Sequence, residues 1–83
     1  MDKVNLYRAL ADVEEELKRA AELFPAMQSA REGWAVIWEE LDELWEEVRD
    51  NKTPNQKDRL RKEAVQVAAM AIRFMVDVCQ DGN

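Results

Sequence analysis

Trp34-Ala35-Val36-Ile37-Trp38-Glu39-Glu40-Leu41-Asp42-Glu43-Leu44-Trp45-Glu46-Glu47-Val48 decides how this chain folds. Trp34, Ile37, Trp38, Leu41, Leu44, Trp45 and Val48 recur at steps of three and four, the spacing of one apolar helix face. Glu39, Glu40, Glu43 and Glu47 gather on a neighbouring arc, which Glu32 and Val36 continue toward the N-terminus. Glu40 stands at the border of the apolar face, placed to point at a partner helix. Ser29 caps the start, with Glu32 three residues on completing a capping-box pattern, and the helix runs to about Arg49.

Upstream, a first helix runs from about Asp2 to Leu23. Leu6, Leu10, Val13, Leu17, Ala20 and Phe24 form its core stripe, stepping alternately by four and three. Glu14, Glu15, Glu16, Lys18, Arg19 and Glu22 make a solvated face, with Glu14–Lys18 and Glu15–Arg19 in favourable order for ion pairs. This helix reads as scaffold, and Pro25 ends it. Downstream, the break from Asp50 to Asn55 carries loop residues, and Thr53 with Pro54 signals a third helix capped by Thr53. From Ala64 that helix is apolar nearly all round, as a buried helix is. Val65, Ala69, Ile72 and Val76 cover one side, and Val67, Ala71, Phe74 and Val78 another. Met70 and Met75 fill core gaps, and residues 80–83 fray.

The polar exceptions on the third helix, Glu63, Gln66, Arg73 and Asp77, share one stripe. Buried polar groups need partners. Glu63 and Gln66 face the acidic arc of the second helix, while Arg73 and Asp77 are spaced to satisfy each other. Carboxylates brought together from two helices repel unless a cation neutralises them, and a hard divalent cation such as Mg²⁺ takes such oxygen ligands. Acidic arcs also occur on helices as plain solvated surface. The three tryptophans belong to the core stripe, with Trp34 the one best placed to stack on a base.

Composition narrows the choices. At 83 residues the chain makes one domain, 1–83, with a marginal core, so association with further copies is expected. The net charge of −6 disfavours a nucleic-acid polymer as partner. With no histidine and one cysteine, Cys79, there is no His-based chemistry, His-ligated zinc, internal disulfide or thiol cluster. Cys79 reads as a small apolar residue rather than a nucleophile. No run is long and apolar enough to span a membrane, and no leader precedes the domain, so a cytoplasmic protein is expected.

The residues also resemble a known group. Glu32-Gly33-Trp34 running into Glu39-Glu40-x-x-Glu43, resumed at Glu63 with Gln66 three positions on, resembles the all-α nucleoside triphosphate pyrophosphohydrolases of the MazG-like superfamily, closest to its short phage and mobile-element members. The resemblance covers the second and third helices. It implies an all-α fold in which these two helices pair into a four-helix-bundle-like core completed by homodimers or homotetramers. It implies hydrolysis of a nucleoside triphosphate to monophosphate and pyrophosphate, with Mg²⁺ (or Mn²⁺) held by Glu39, Glu40, Glu43, Glu63 and Gln66. Glu39, Glu40 and Glu43 would be the catalytic carboxylates. Arg73 and Trp34 are the substrate-binding candidates, from helical position and exposure. In the second motif Gln66 stands where the superfamily usually has Asp, and Arg31 where short members commonly have His. The alternatives are a catalytically weakened nucleotide- or metal-binding module and a purely structural helical oligomer.

Overall fold

The computed structural model describes residues 1–50 and 54–80. The chain is all-α: α1 (Lys3–Leu23), α2 (Ala30–Arg49) and α3 (Gln56–Asp77), with no strand among the described residues. Asp2 caps α1, its carboxylate accepting the Asn5 N–H at 2.9 Å. Phe24, the residue before Pro25, is extended and stops the helix, as the steric demand of the proline ring requires. Ser29 caps α2, accepting the Glu32 N–H at 3.1 Å, while the Glu32 carboxylate reaches one residue further back, to the Gln28 N–H at 3.0 Å.

The start of α3 departs from the expected Thr53–Pro54 signal. Pro54 and Asn55 form a turn, and the helix begins at Gln56 with no side-chain cap from Asn55; Thr53 lies outside the described residues. The Gln56 amide instead donates to the carbonyls of Glu47 and Asp50, so it joins the end of α2 to the start of α3.

Helix α3 is central. Helix α2 packs antiparallel on one side of it and α1 parallel on another, while α1 and α2 do not pack on each other. Arg59 pairs with Glu47 at 2.9 Å across α2 and α3, and Arg61 with Asp12 at 2.6 Å across α1 and α3. The linker between α1 and α2 is held by the far end of α3. Asp77 accepts the Met27 N–H at 2.9 Å, and Arg73 donates to the Pro25 carbonyl at 2.9 Å. These bonds replace the expected Arg73–Asp77 pair, because both side chains find backbone partners across the tertiary contact.

The core is small. Ala20, Met27, Ala69 and Met70 are buried, with Val13, Leu17, Val36, Ile37, Phe74 and Val78 packed around them. Gly33 is buried on α2 against the Phe74 ring of α3, with the Met27 sulfur beside it. The apolar face of α2 therefore divides: Ile37 and the half-buried Leu44 turn toward α3, whereas Trp34, Trp38, Leu41, Trp45 and Val48 are exposed. Helix α3 is buried only on the sides its two neighbours cover, which leaves Met75 and Val76 exposed, as is Cys79. The radius of gyration, 14.1 Å, exceeds the roughly 12 Å of a globular domain this long.

Candidate functional site

Because α2 meets α3 antiparallel and closely, the border position Glu40 is carried toward Glu63. One carboxylate oxygen from each of Glu40, Glu43 and Glu63 lies within 4.8 Å of the other two. Glu40 and Glu63 are half-buried and Glu43 is exposed. Partial burial, followed by the charge and hydrogen bond of Glu43 and the charges of Glu63 and Glu39, pushes Glu40 up to about 7. Burial and then Glu43 raise Glu63 in the same direction. The cluster is thus short of positive charge. Lys62 opposes the shift at Glu63, and no lysine or arginine forms an ion pair with any of the three among the described residues.

Beside the triad a cleft of about 320 Å³ opens between α1 and α2, with α3 as its floor. Glu39, Glu40, Gln66 and Arg73 line it together with Glu16 and Arg19 of α1. The structure therefore brings Glu39, Glu40, Glu43, Glu63, Gln66 and Arg73 into one neighbourhood. Trp34 does not line this cleft; it stands on the exposed seam of α2, 6.0 Å from Trp38 between ring centroids. A larger groove of about 570 Å³ runs along α1 and α3, but no triad member lines it.

Arg73 is held in place without an ion pair among the described residues. Besides Pro25, it contacts the Met70 sulfur at 3.4 Å, and its guanidinium lies 6.0 Å from the centre of the Phe24 ring. Arg19 is raised, first by its pairing with Glu16 and more weakly by Glu40.

No protein-family model, curated protein or solved structure matches this chain. The donor set itself fits a hard divalent cation: three mutually repelling carboxylates from two rigid helices, beside the amide of Gln66 and an open cleft.

Helix α1 is where reading by sequence fell short. Glu16 and Arg19 belong to what reads as a solvated scaffold face, with Arg19 paired to Glu15. Instead Arg19 forms a two-pronged pair with Glu16, at 2.9 and 2.6 Å, at the edge of the cleft. The Arg19 bond lowers Glu16, and a hydrogen bond with Gln66 adds to that. One signal was available: Glu16 immediately precedes the core residue Leu17, so it flanks the buried stripe.

Proposed function

We propose that this chain is a divalent-cation-dependent nucleoside triphosphate pyrophosphohydrolase, releasing a nucleoside monophosphate and pyrophosphate. The observation that carries the reading is the meeting of Glu40, Glu43 and Glu63 at the α2–α3 crossing, beside a cleft that also presents Arg73 and Arg19. A carboxylate cluster with a cationic flank suits a ligand that is itself a polyphosphate bound with metal.

Glu40, Glu43 and Glu63 hold the cation, with the Gln66 amide oxygen as a neutral donor from the same side of α3. When bound, Mg²⁺ or Mn²⁺ supplies the positive charge that the polyphosphate and the attacking water require. Glu39 lines the cleft but stands outside the triad, so it is the carboxylate left to orient that water and accept its proton. Arg73 and Arg19 bind phosphate oxygens, and Arg73 meets them already positioned by Pro25 and Phe24. Breaking the bond between the α- and β-phosphates leaves its electron pair on pyrophosphate.

A second reading, a weakened nucleotide- or metal-binding module, is favoured by Gln66. It brings no negative charge and is already engaged by Glu16. Incubation of the protein with a panel of ribo- and deoxyribonucleoside triphosphates, with Mg²⁺, Mn²⁺ or EDTA, separates the two. Metal-dependent release of monophosphate and pyrophosphate supports the enzyme. Saturable nucleotide binding without product supports the module and overturns the enzyme. The homo-oligomer and the cytoplasmic setting belong to the same proposal; no helix among the described residues is long and apolar enough to cross a membrane.

A further inference from the structure

Two cavities meet at the same three side chains. Glu16, Arg19 and Gln66 line both the cleft of about 320 Å³ and the groove of about 570 Å³, so they stand where the two adjoin. Helix register shows what Gln66 faces. The Arg61–Asp12 and Arg73–Pro25 contacts put Gln66 level with about Leu17 of α1, beside Glu16. The Arg59–Glu47 and Phe74–Gly33 contacts put it level with about Glu40 of α2. Gln66 therefore stands between two carboxylates, one from each neighbouring helix.

Those carboxylates are not equivalent. Glu16 is gripped by two Arg19 N–H groups, at 2.9 and 2.6 Å, and its side chain is only 11% exposed. Paired in this way it stays ionised, and an ionised carboxylate only accepts hydrogen bonds. Its bond with Gln66 is thus donated by the amide nitrogen. A planar amide that gives its nitrogen to Glu16 turns its oxygen away, to the Glu40 side. Left unrestrained, the amide would swing round and donate to Glu40, occupying an oxygen that a cation needs.

We infer that Glu16 is a positioning residue: clamped by Arg19, it holds the amide nitrogen of Gln66 and so presents the amide oxygen to a cation beside Glu40. This role rests on the cation site proposed above and gives α1 a part in it. The Glu16–Gln66 bond then does not compete with the metal. It leaves outward the one amide atom that a hard cation takes.

Calorimetric titration with Mg²⁺ tests it in four chains: wild type, Glu16→Met/Arg19→Met, Gln66→Asp, and all three changes together. The paired change keeps the net charge and removes the grip on the amide. It should weaken Mg²⁺ binding about tenfold, the lower end for loss of a ligand-orienting partner. In the Gln66→Asp background it should cause no weakening, because either carboxylate oxygen can serve as the ligand. Equal weakening in both backgrounds, or none with Gln66 in place, overturns the role of Glu16. Glu16→Gln/Arg19→Met keeps an acceptor for the amide and should bind more tightly than Glu16→Met/Arg19→Met; equal affinity would overturn it too. No Mg²⁺ binding by wild type would instead remove the cation site itself, and the role of Glu16 with it. Nitrogen-15 NMR of the metal-free wild type reads the bond separately. One Gln66 side-chain amide proton should exchange slowly with solvent, and an amide that exchanges as freely as an exposed one overturns the orientation.

Discussion

The Phe74 ring lies where a side chain at Gly33 would have to be: a Cβ built at Gly33 falls 2.5 and 2.9 Å from two of its carbons. The Met27 sulfur would be 3.1 Å away on another side. Glycine at this position sets the distance between α2 and α3, and with it the approach of Glu40 to Glu63.

Gly33→Ala should destabilise the protein although alanine is the better helix former. Relief of the glycine penalty offers up to about 1 kcal/mol, whereas overpacking a filled crossing costs about 1–3 kcal/mol. The expected net loss is about 1 kcal/mol in urea unfolding. An increase in stability would show that Phe74 swings aside freely.

How legible was all this in the sequence? The three helices follow from apolar spacing, and the Ser29 cap and the break at Pro25 from local chemistry that tertiary structure did not override. Glu40 at the border of an apolar face was visible for the same reason. The division of the α2 face was not. Seven apolar residues spread over a wide arc give no sign of which edge meets α3, and that depends on Gly33, whose lack of a side chain draws the helices together. Arg73 and Asp77 show a related limit: spacing offered them each other, but the linker offered backbone groups at better geometry.

Asp77→Ala should loosen the α1–α2 linker. It removes the charged acceptor of the part-buried Met27 N–H, a bond worth about 1.5–3 kcal/mol. Thermal unfolding should show that loss, with Asp77→Asn milder because the amide oxygen still accepts. Equal stability of Asp77→Ala and wild type would mean that water replaces the carboxylate.

The metal-free protein should become less stable as pH rises from about 5 to about 8. The folded-state value of Glu40 is raised from 4.5 to about 7, and Glu63 is raised too, so the folded chain binds more protons than the unfolded chain in that window. Stability then falls as those protons leave. Glu16 is lowered and acts only at more acidic pH, where its stabilising charge is lost as pH falls. Mg²⁺ at about 100 times its Kd should restore ~2.7 kcal/mol at pH 8. Melting curves with and without Mg²⁺ check this, and a metal-free protein most stable at pH 8 would contradict the electrostatics of the triad.

Changing Gln66 to Asp should tighten Mg²⁺ binding. It adds a carboxylate to a cluster that already lacks positive charge, so a gain of about tenfold in affinity accompanies a lower stability of the metal-free form. Isothermal titration with Mg²⁺ reads the affinity directly. Unchanged binding would place Gln66 outside the cation's ligands.

The central claim is that Glu40, Glu43 and Glu63 build a cation site for triphosphate hydrolysis. The most direct test follows nucleoside triphosphates by ³¹P NMR, with wild type and Glu40→Gln run side by side in Mg²⁺ or Mn²⁺ and a metal-free control. The account predicts that wild type yields monophosphate and pyrophosphate only with metal, and that Glu40→Gln, equally helical, is slower by at least about 100-fold, some 2.7 kcal/mol of transition-state stabilisation. Hydrolysis at the wild-type rate by Glu40→Gln, or no hydrolysis by wild type with either metal, would contradict it.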